Sequence, residues 1–256
     1  MSSIPKIYLE KGSIKDTEII IDNENYHHLK NVLRLNIGDK ITVCDNNKND
    51  YLCEIISCNS FIVAKILENK ISEAEFNFSV SLFQGFAKGD KMETIIQKST
   101  ELGVTDIYPV IMNRCVSKPD DKSMVNKIKR YHKIAESAAA QSGRGIIPVI
   151  HNAITYNEAI KKLKLMDIGF VCYEGKDTVP LKSLIESVND INSIGFIIGP
   201  EGGISDTECS IAEENNIDLV GLGKRILRTE TASSFVLSVL SVFFSWNFSK
   251  TLEIIM

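Results

Sequence analysis

Two glycine-rich segments late in the chain carry residue types from which a small-ligand site can be built. In the first, Phe196-Ile197-Ile198 runs as an apolar strand into Gly199-Pro200-Glu201-Gly202-Gly203, and Ser205-Asp206 marks a helix start just beyond. Ligands settle at the carboxyl ends of strands in α/β sheets, and glycine lets the backbone come close to them. The same residues also make an ordinary tight turn. The second segment is Gly221-Leu222-Gly223-Lys224-Arg225-Ile226-Leu227-Arg228-Thr229-Glu230-Thr231-Ala232. A guanidinium such as Arg228 beside an apolar Ile-Leu pair suits an anion or a developing oxyanion. Glu230 has two readings. It can act as a base, or it can complement the positive end of a helix that Thr229 or Thr231 caps. Neither segment reads GxGxxG, and both lie late in the chain rather than after a first strand. That argues against a dinucleotide-dependent oxidoreductase.

The elements that must hold these segments fall into two parts. Up to about residue 72 the sequence gives short β-like runs, Glu18–Ile21, Lys40–Val43, Tyr51–Ile56 and Ser60–Leu67, with one short helix over His27–Leu35. Turn clusters such as Asp45-Asn46-Asn47-Lys48-Asn49-Asp50 separate the runs, as in a small β-barrel. The polar stretch Glu68–Glu75 reads as a linker. From Phe76 onward strands and helices alternate, which predicts an α/β fold with a mostly parallel sheet. Its strands are Phe78–Phe83, Asp106–Met112, Ile168–Cys172, Ile194–Ile198 and Leu219–Leu222. Its first helix is Lys91–Leu102, with Asp90 as N-cap and Gly103 as stop, and a second runs from about Ser123 to Gln141.

Composition narrows the class. The 256 residues are 44% hydrophobic and 24% charged, ordinary for a globular protein. The first residues lack the apolar core of a secretory signal. Six cysteines form no CxxC pair, and adjacent His27 and His28 lack further ligands, so no metal is expected. Those thiols fit a reduced cytoplasmic compartment as small core residues. The span from Thr231 to Ser249 has no Lys, Arg, Asp or Glu, but Ser233, Ser234, Ser238, Ser241 and Ser245 interrupt it. Its apolar residues recur at helical spacing, as in a helix buried inside a protein rather than in a bilayer. The net charge is −4, yet from Arg114 to Arg144 eight basic residues face three acidic ones. That local surplus is either a phosphate-binding surface or a solvated helix face.

The two glycine segments, in this order, resemble the RsmE family of ribosomal RNA methyltransferases in the SPOUT (α/β-knot) superfamily. Four further blocks carry the likeness over nearly the whole chain: His27-His28-Leu29-Lys30-Asn31-Val32-Leu33-Arg34 with Gly38-Asp39; Gln84 with Lys88-Gly89-Asp90-Lys91-Met92-Glu93; Gln97-Lys98-Ser99-Thr100-Glu101-Leu102-Gly103-Val104; and Gln141-Ser142-Gly143-Arg144 with Pro148. Tyr173-Glu174 fits the loop after the next strand. Two positions depart from the family pattern. Ala140 stands where the family usually has Glu, and Lys6-Ile7-Tyr8 where it usually has Arg followed by aromatics.

The resemblance implies an N-terminal PUA-like β-barrel, residues 1–72, that binds RNA. It implies a SPOUT methyltransferase domain with a trefoil knot over residues 73–256. The implied cofactor is S-adenosyl-L-methionine (SAM), held by Tyr173, Glu174, Gly199, Pro200, Glu201, Gly202, Gly203, Gly221, Leu222, Gly223, Ile226 and Leu227. The implied reaction is methylation of N3 of a uridine in 16S rRNA of the small ribosomal subunit by a homodimer. Arg228 and Glu230 are then the catalytic candidates. Lys6, Arg34, Lys88, Lys91, Lys98, Arg114 and Arg144 are the candidate RNA contacts. Two rivals remain: a SPOUT enzyme acting on 23S rRNA or tRNA, and a non-catalytic RNA-binding ribosome-assembly factor.

Overall fold

The computed structural model describes residues 4–9, 14, 17–116, 121–175, 177–186 and 191–245. The chain divides into two compact units. The first comprises residues 1–75 together with 137–147, and the second takes the remainder.

In the first unit, β1 (Lys6–Tyr8) and β2 (Glu18–Ile21) lead to α1 (Asn23–His27), a π-helical turn over His28–Val32, β3 (Lys40–Cys44), β4 (Asn49–Cys58) and β5 (Ile62–Ile71). The strands order as β1-β3-β4-β5-β2, with β1 parallel to β3 and the rest antiparallel. The expected barrel is thus a curled half-barrel whose end strands β1 and β2 do not pair with each other among the described residues. Alternation puts Ile41, Val43, Cys53, Ile55, Ile62 and Ala64 on one face, closed by Leu29 from the π-helical turn. The expected linker is corrected in part, because β5 extends to Ile71 and pairs there with Asn49.

The segment 137–147 completes this unit. Ala139, Ala140 and Ile147 pack on Tyr8 and Cys44, so the small residue at 140 fits an apolar contact. The Tyr8 hydroxyl donates to the Arg144 carbonyl at 2.7 Å, and the Arg144 guanidinium forms a two-point pair with Glu75 at 2.6 and 3.2 Å. Both side chains are only 2% exposed.

The second unit is built on β6 (Ser79–Gly85), α2 (Lys91–Glu101), β7 (Asp106–Ile111), α3 (Asp121–Gln141, whose end belongs to the first unit), β8 (Val149–Ile150), β9 (Ile154–Thr155) and α4 (Tyr156–Leu163). It continues through β10 (Ile168–Cys172), β11 (Val179–Pro180), α5 (Leu181–Glu186), β12 (Ser193–Ile198), α6 (Asp206–Glu214), β13 (Asp218–Gly221) and α7 (Thr229–Ser245). All strand pairs are parallel, in the order β11-β13-β10-β12-β6-β7-β8, with β9 also on β7. Strands buried on both faces read as continuous apolar runs, as Ile194–Ile198 does. Because β10 lies between β12 and β13, the loops after these three strands emerge side by side.

Local signals set the helix starts. Ser205 caps α6 in a capping box with Glu208, and Thr155 does the same for α4 with Glu158. Asp90 precedes α2 as expected but makes no side-chain cap bond. The charge-free stretch from residue 231 becomes α7, which packs on α2 and β12. Ser233, Ser234 and Ser238 turn their hydroxyls back onto carbonyls of the same helix. No helix among the described residues is long and apolar enough to cross a membrane.

Candidate functional site

The ends of β10, β12 and β13 open onto a cavity of about 320 Å³. Its walls are the residue 172–175 loop, the 198–204 turn, the 221–228 segment and the start of α7, with Lys91 at one side. The volume falls in the roughly 300–1,000 Å³ range of small-molecule sites.

Each wall has a local cause. Gly203 sits at φ +71°, and a Cβ there would come within 2.9 Å of a Glu174 carboxylate oxygen. Glycine therefore lets the turn fold back over the end of β10. Glu201 lies on the side toward α2. Its Oε1 accepts from the Lys88 amide and lies 3.1 Å from Lys91 Nζ, which fastens the turn to the start of α2. Burial raises the Glu201 carboxyl, but its own backbone amide, Lys91 and Lys88 outweigh that and hold it below the usual carboxylate range. Burial pushes the Cys172 thiol at the cavity floor up, so it stays protonated and acts as wall.

The start of α7 closes the site. Arg228 is exposed at the cavity edge, and its carbonyl begins the helix by accepting from the Thr231 and Ala232 amides. The expected capping by Thr229 or Thr231 is corrected, since α7 begins at Thr229 and both lie inside it; the Thr229 hydroxyl donates instead to the Gly199 carbonyl at 2.7 Å. Glu230 lies in the first turn, outside the cavity lining, with a buried carboxylate oxygen that has no hydrogen-bond partner among the described residues.

The chain matches the RNA methyltransferase domain family over residues 74–241 and the RNA methyltransferase PUA domain family over residues 21–66. It is 34% identical over 241 residues to the ribosomal RNA small subunit methyltransferase E of Bacillus subtilis, covering 92% of this chain and 94% of that protein. It is 33% identical to the ribosomal RNA small subunit methyltransferase E 2 of Borreliella burgdorferi, covering 91% and 95%. The chain belongs to the ribosomal RNA small subunit methyltransferase E family. A crystal structure of the Neisseria gonorrhoeae family member bound to S-adenosyl methionine superposes with a TM-score of 0.83 at 29% identity, covering 94% of this chain and 98% of that one. The fold is therefore the α/β methyltransferase fold of this family with its N-terminal PUA module.

The family resemblance named twelve cavity residues, and eleven of them line the cavity: Tyr173, Glu174, Gly199, Pro200, Glu201, Gly203, Gly221, Leu222, Gly223, Ile226 and Leu227. Gly202 does not, because it packs instead against the Arg114 backbone. Ile226 borders the cavity yet is 83% exposed. The donors, carbonyls and apolar side chains present fit an adenine and a short methionine tail.

Of the candidate RNA contacts, Arg34, Lys88, Lys98 and Arg114 are exposed. Lys98 pairs with Glu101 at 2.9 Å, and Arg114 reaches the Gly202 carbonyl at 3.4 Å. Lys91 lines the cavity. Two expectations are corrected. Lys6 has a side chain only 6% exposed and is spent on Asp50 at 2.8 Å and the Gly143 carbonyl at 3.1 Å. Arg144 is buried against Glu75. Neither meets a phosphate from those positions. Of the wider basic segment, Lys118 and Asp120 lie outside the described residues.

Sequence reasoning missed Cys172, Gly175, Thr178, Ile198, Ile204, Arg225, Thr229 and Ala232 as wall residues. Most flank recognised motifs and were legible by adjacency. Thr178 was not, because only the pairing of β11 with β13 brings it against Gly221.

Proposed function

We propose that this protein transfers a methyl group from SAM to N3 of a uridine in 16S rRNA of the small ribosomal subunit. The observation that carries this is the joining of both glycine segments and Arg228 around one cavity at the strand ends, in a chain of this family. SAM supplies an electrophilic methyl on its sulfonium, so the protein's work is alignment and activation of the nitrogen.

The backbone and apolar side chains of residues 173–174, 199–203 and 221–227 would hold the cofactor, with Ile226 at the cavity edge. Loss of the N3 proton spreads charge onto the two uracil carbonyls. Arg228 donates hydrogen bonds to that charge and lowers the cost of deprotonation. Glu230 stands outside the cavity lining in the first turn of α7, where it complements the positive end of the helix, and the N3 proton leaves to water. Arg34, Lys88, Lys91, Lys98 and Arg114 contact the RNA backbone. Residues 1–72 serve as the RNA-binding module and 73–256 as the transfer module. Phe235, Val242 and Phe243 leave apolar surface exposed on α7, which a second copy covers in a homodimer. The protein would act where ribosomes are made, in the cytoplasm.

The test is methyl transfer from labelled SAM to small ribosomal subunits from cells lacking this protein, followed by nucleoside analysis. Label in 3-methyluridine supports the proposal. Label in another nucleoside, or only in large-subunit rRNA or tRNA, refutes the reaction or the substrate. SAM binding without transfer to any RNA would favour the assembly-factor reading.

A further inference from the structure

We infer that Gln84 is a positioning residue for methyl transfer: through Thr229 it ties the Gly199 turn to the start of α7 and so sets where Arg228 stands. The inference rests on the proposed function. Gln84 is the penultimate residue of β6, is wholly buried and does not line the cavity. Its side-chain nitrogen donates to Thr229 Oγ1 at 2.8 Å and to the Gly85 carbonyl at 3.0 Å. The Thr229 hydroxyl in turn donates to the Gly199 carbonyl at 2.7 Å.

The donor directions follow from proton counting. A threonine hydroxyl has one proton, here spent on Gly199, so toward Gln84 it only accepts. The Gly85 carbonyl also only accepts. Both neighbours therefore demand the NH₂ of Gln84, which leaves its carbonyl oxygen buried with no partner among the described residues. A buried amide with one end uncompensated is a poor choice for stability alone. What it achieves is register among three elements: the end of β6, the turn after β12 and the first residue of α7. Packing adds a second link between the same parts, since a Cβ on Gly85 would stand 2.5 Å from the Pro200 nitrogen. Arg228 directly precedes Thr229, so a shift of Thr229 moves the guanidinium relative to the 199–203 turn.

The test compares Gln84→Met, which keeps length and removes the donors, with Thr229→Val, Thr229→Ser and the Met/Val double variant. In the full chain without ligand, Gln84→Met and Thr229→Val should each raise amide hydrogen exchange at 199–203 and 228–232 while leaving α4 and α6 unchanged. In single-turnover methylation at saturating SAM and RNA, each should lower the rate at least about tenfold, with SAM affinity within about threefold. The double variant should be no worse than either single one, and Thr229→Ser should restore the wild-type rate. Additive losses, losses confined to melting temperature, or unchanged local exchange would each overturn the inference. If the wild-type chain transfers no methyl, the proposed function fails, and unchanged exchange in the variants still separately refutes the tie.

Discussion

Replacing Glu75 by alanine should be among the most destabilising single substitutions in the first unit. Its carboxylate accepts from Arg144 Nη2 at 2.6 Å, from Arg144 Nε at 3.2 Å and from the Gly145 amide at 2.8 Å. With both partners 2% exposed, removing the carboxylate leaves a guanidinium out of water with its main counter-charge gone. Breaking one side of a buried pair costs about 3–5 kcal/mol. At about 2–4 °C per kcal/mol for a chain of this size, the melting temperature should fall by roughly 10 °C. The reverse deletion, Arg144→Ala, strands the carboxylate and should cost a similar amount. A double change to an apolar pair of similar volume, Glu75→Leu with Arg144→Met, should recover much of the loss, because neither charge is then buried. Calorimetric or circular-dichroism melting of the four proteins measures this. A fall under about 2 °C for both single variants, with RNA affinity reduced for Arg144→Ala alone, would refute the reasoning and return Arg144 to the RNA contacts.

Arg228→Ala should lower single-turnover methylation at saturating RNA by about a hundredfold, the scale of one lost donor to developing charge, while SAM affinity by calorimetry stays within about threefold. Gly203→Ala should weaken SAM binding at least about tenfold, since a Cβ at φ +71° crowds Glu174, and the backbone strain adds about 1 kcal/mol of instability in urea unfolding. Asp167 accepts from the Asn192 amide, the largest effect, and from the Ser193 amide and hydroxyl; together these outweigh desolvation and hold its carboxyl below the usual aspartate range. Its contribution is present above that range and is lost as pH falls through the lowered value. Asp167→Asn should therefore flatten the acid side of a melting-temperature profile. An unchanged acid limb would show those bonds are not formed in solution.

The transfer domain was largely legible because its signals are local and redundant. Strand Ile168–Cys172 was read to the residue, and α6 was fixed by Ser205 and Asp206. The cavity walls were legible as motifs whose meeting only the strand order explains: nothing in the sequence places β10 between β12 and β13. Two-residue strands such as β8, β9 and β11 carry too few side chains for any periodicity. Lys6 and Arg144 misled because charge reads as surface until a partner is found, and theirs stand 44 and 69 residues away. The Thr229 capping expectation failed for the same reason, as a neighbour 145 residues away, Gln84, uses the hydroxyl as an acceptor.

The late segment built into the first unit bears on how the chain is made. Folding units usually close in order as they leave the ribosome. Here the half-barrel strands are all out by residue 71, but the pieces that cover Tyr8 and neutralise Glu75 arrive only with residues 137–147. The first unit must therefore wait, partly uncovered, while β6, α2, β7 and most of α3 are synthesised. A fragment ending at residue 75 should behave as a nascent intermediate rather than a domain, and it should gain structure when a peptide spanning 137–147 is supplied.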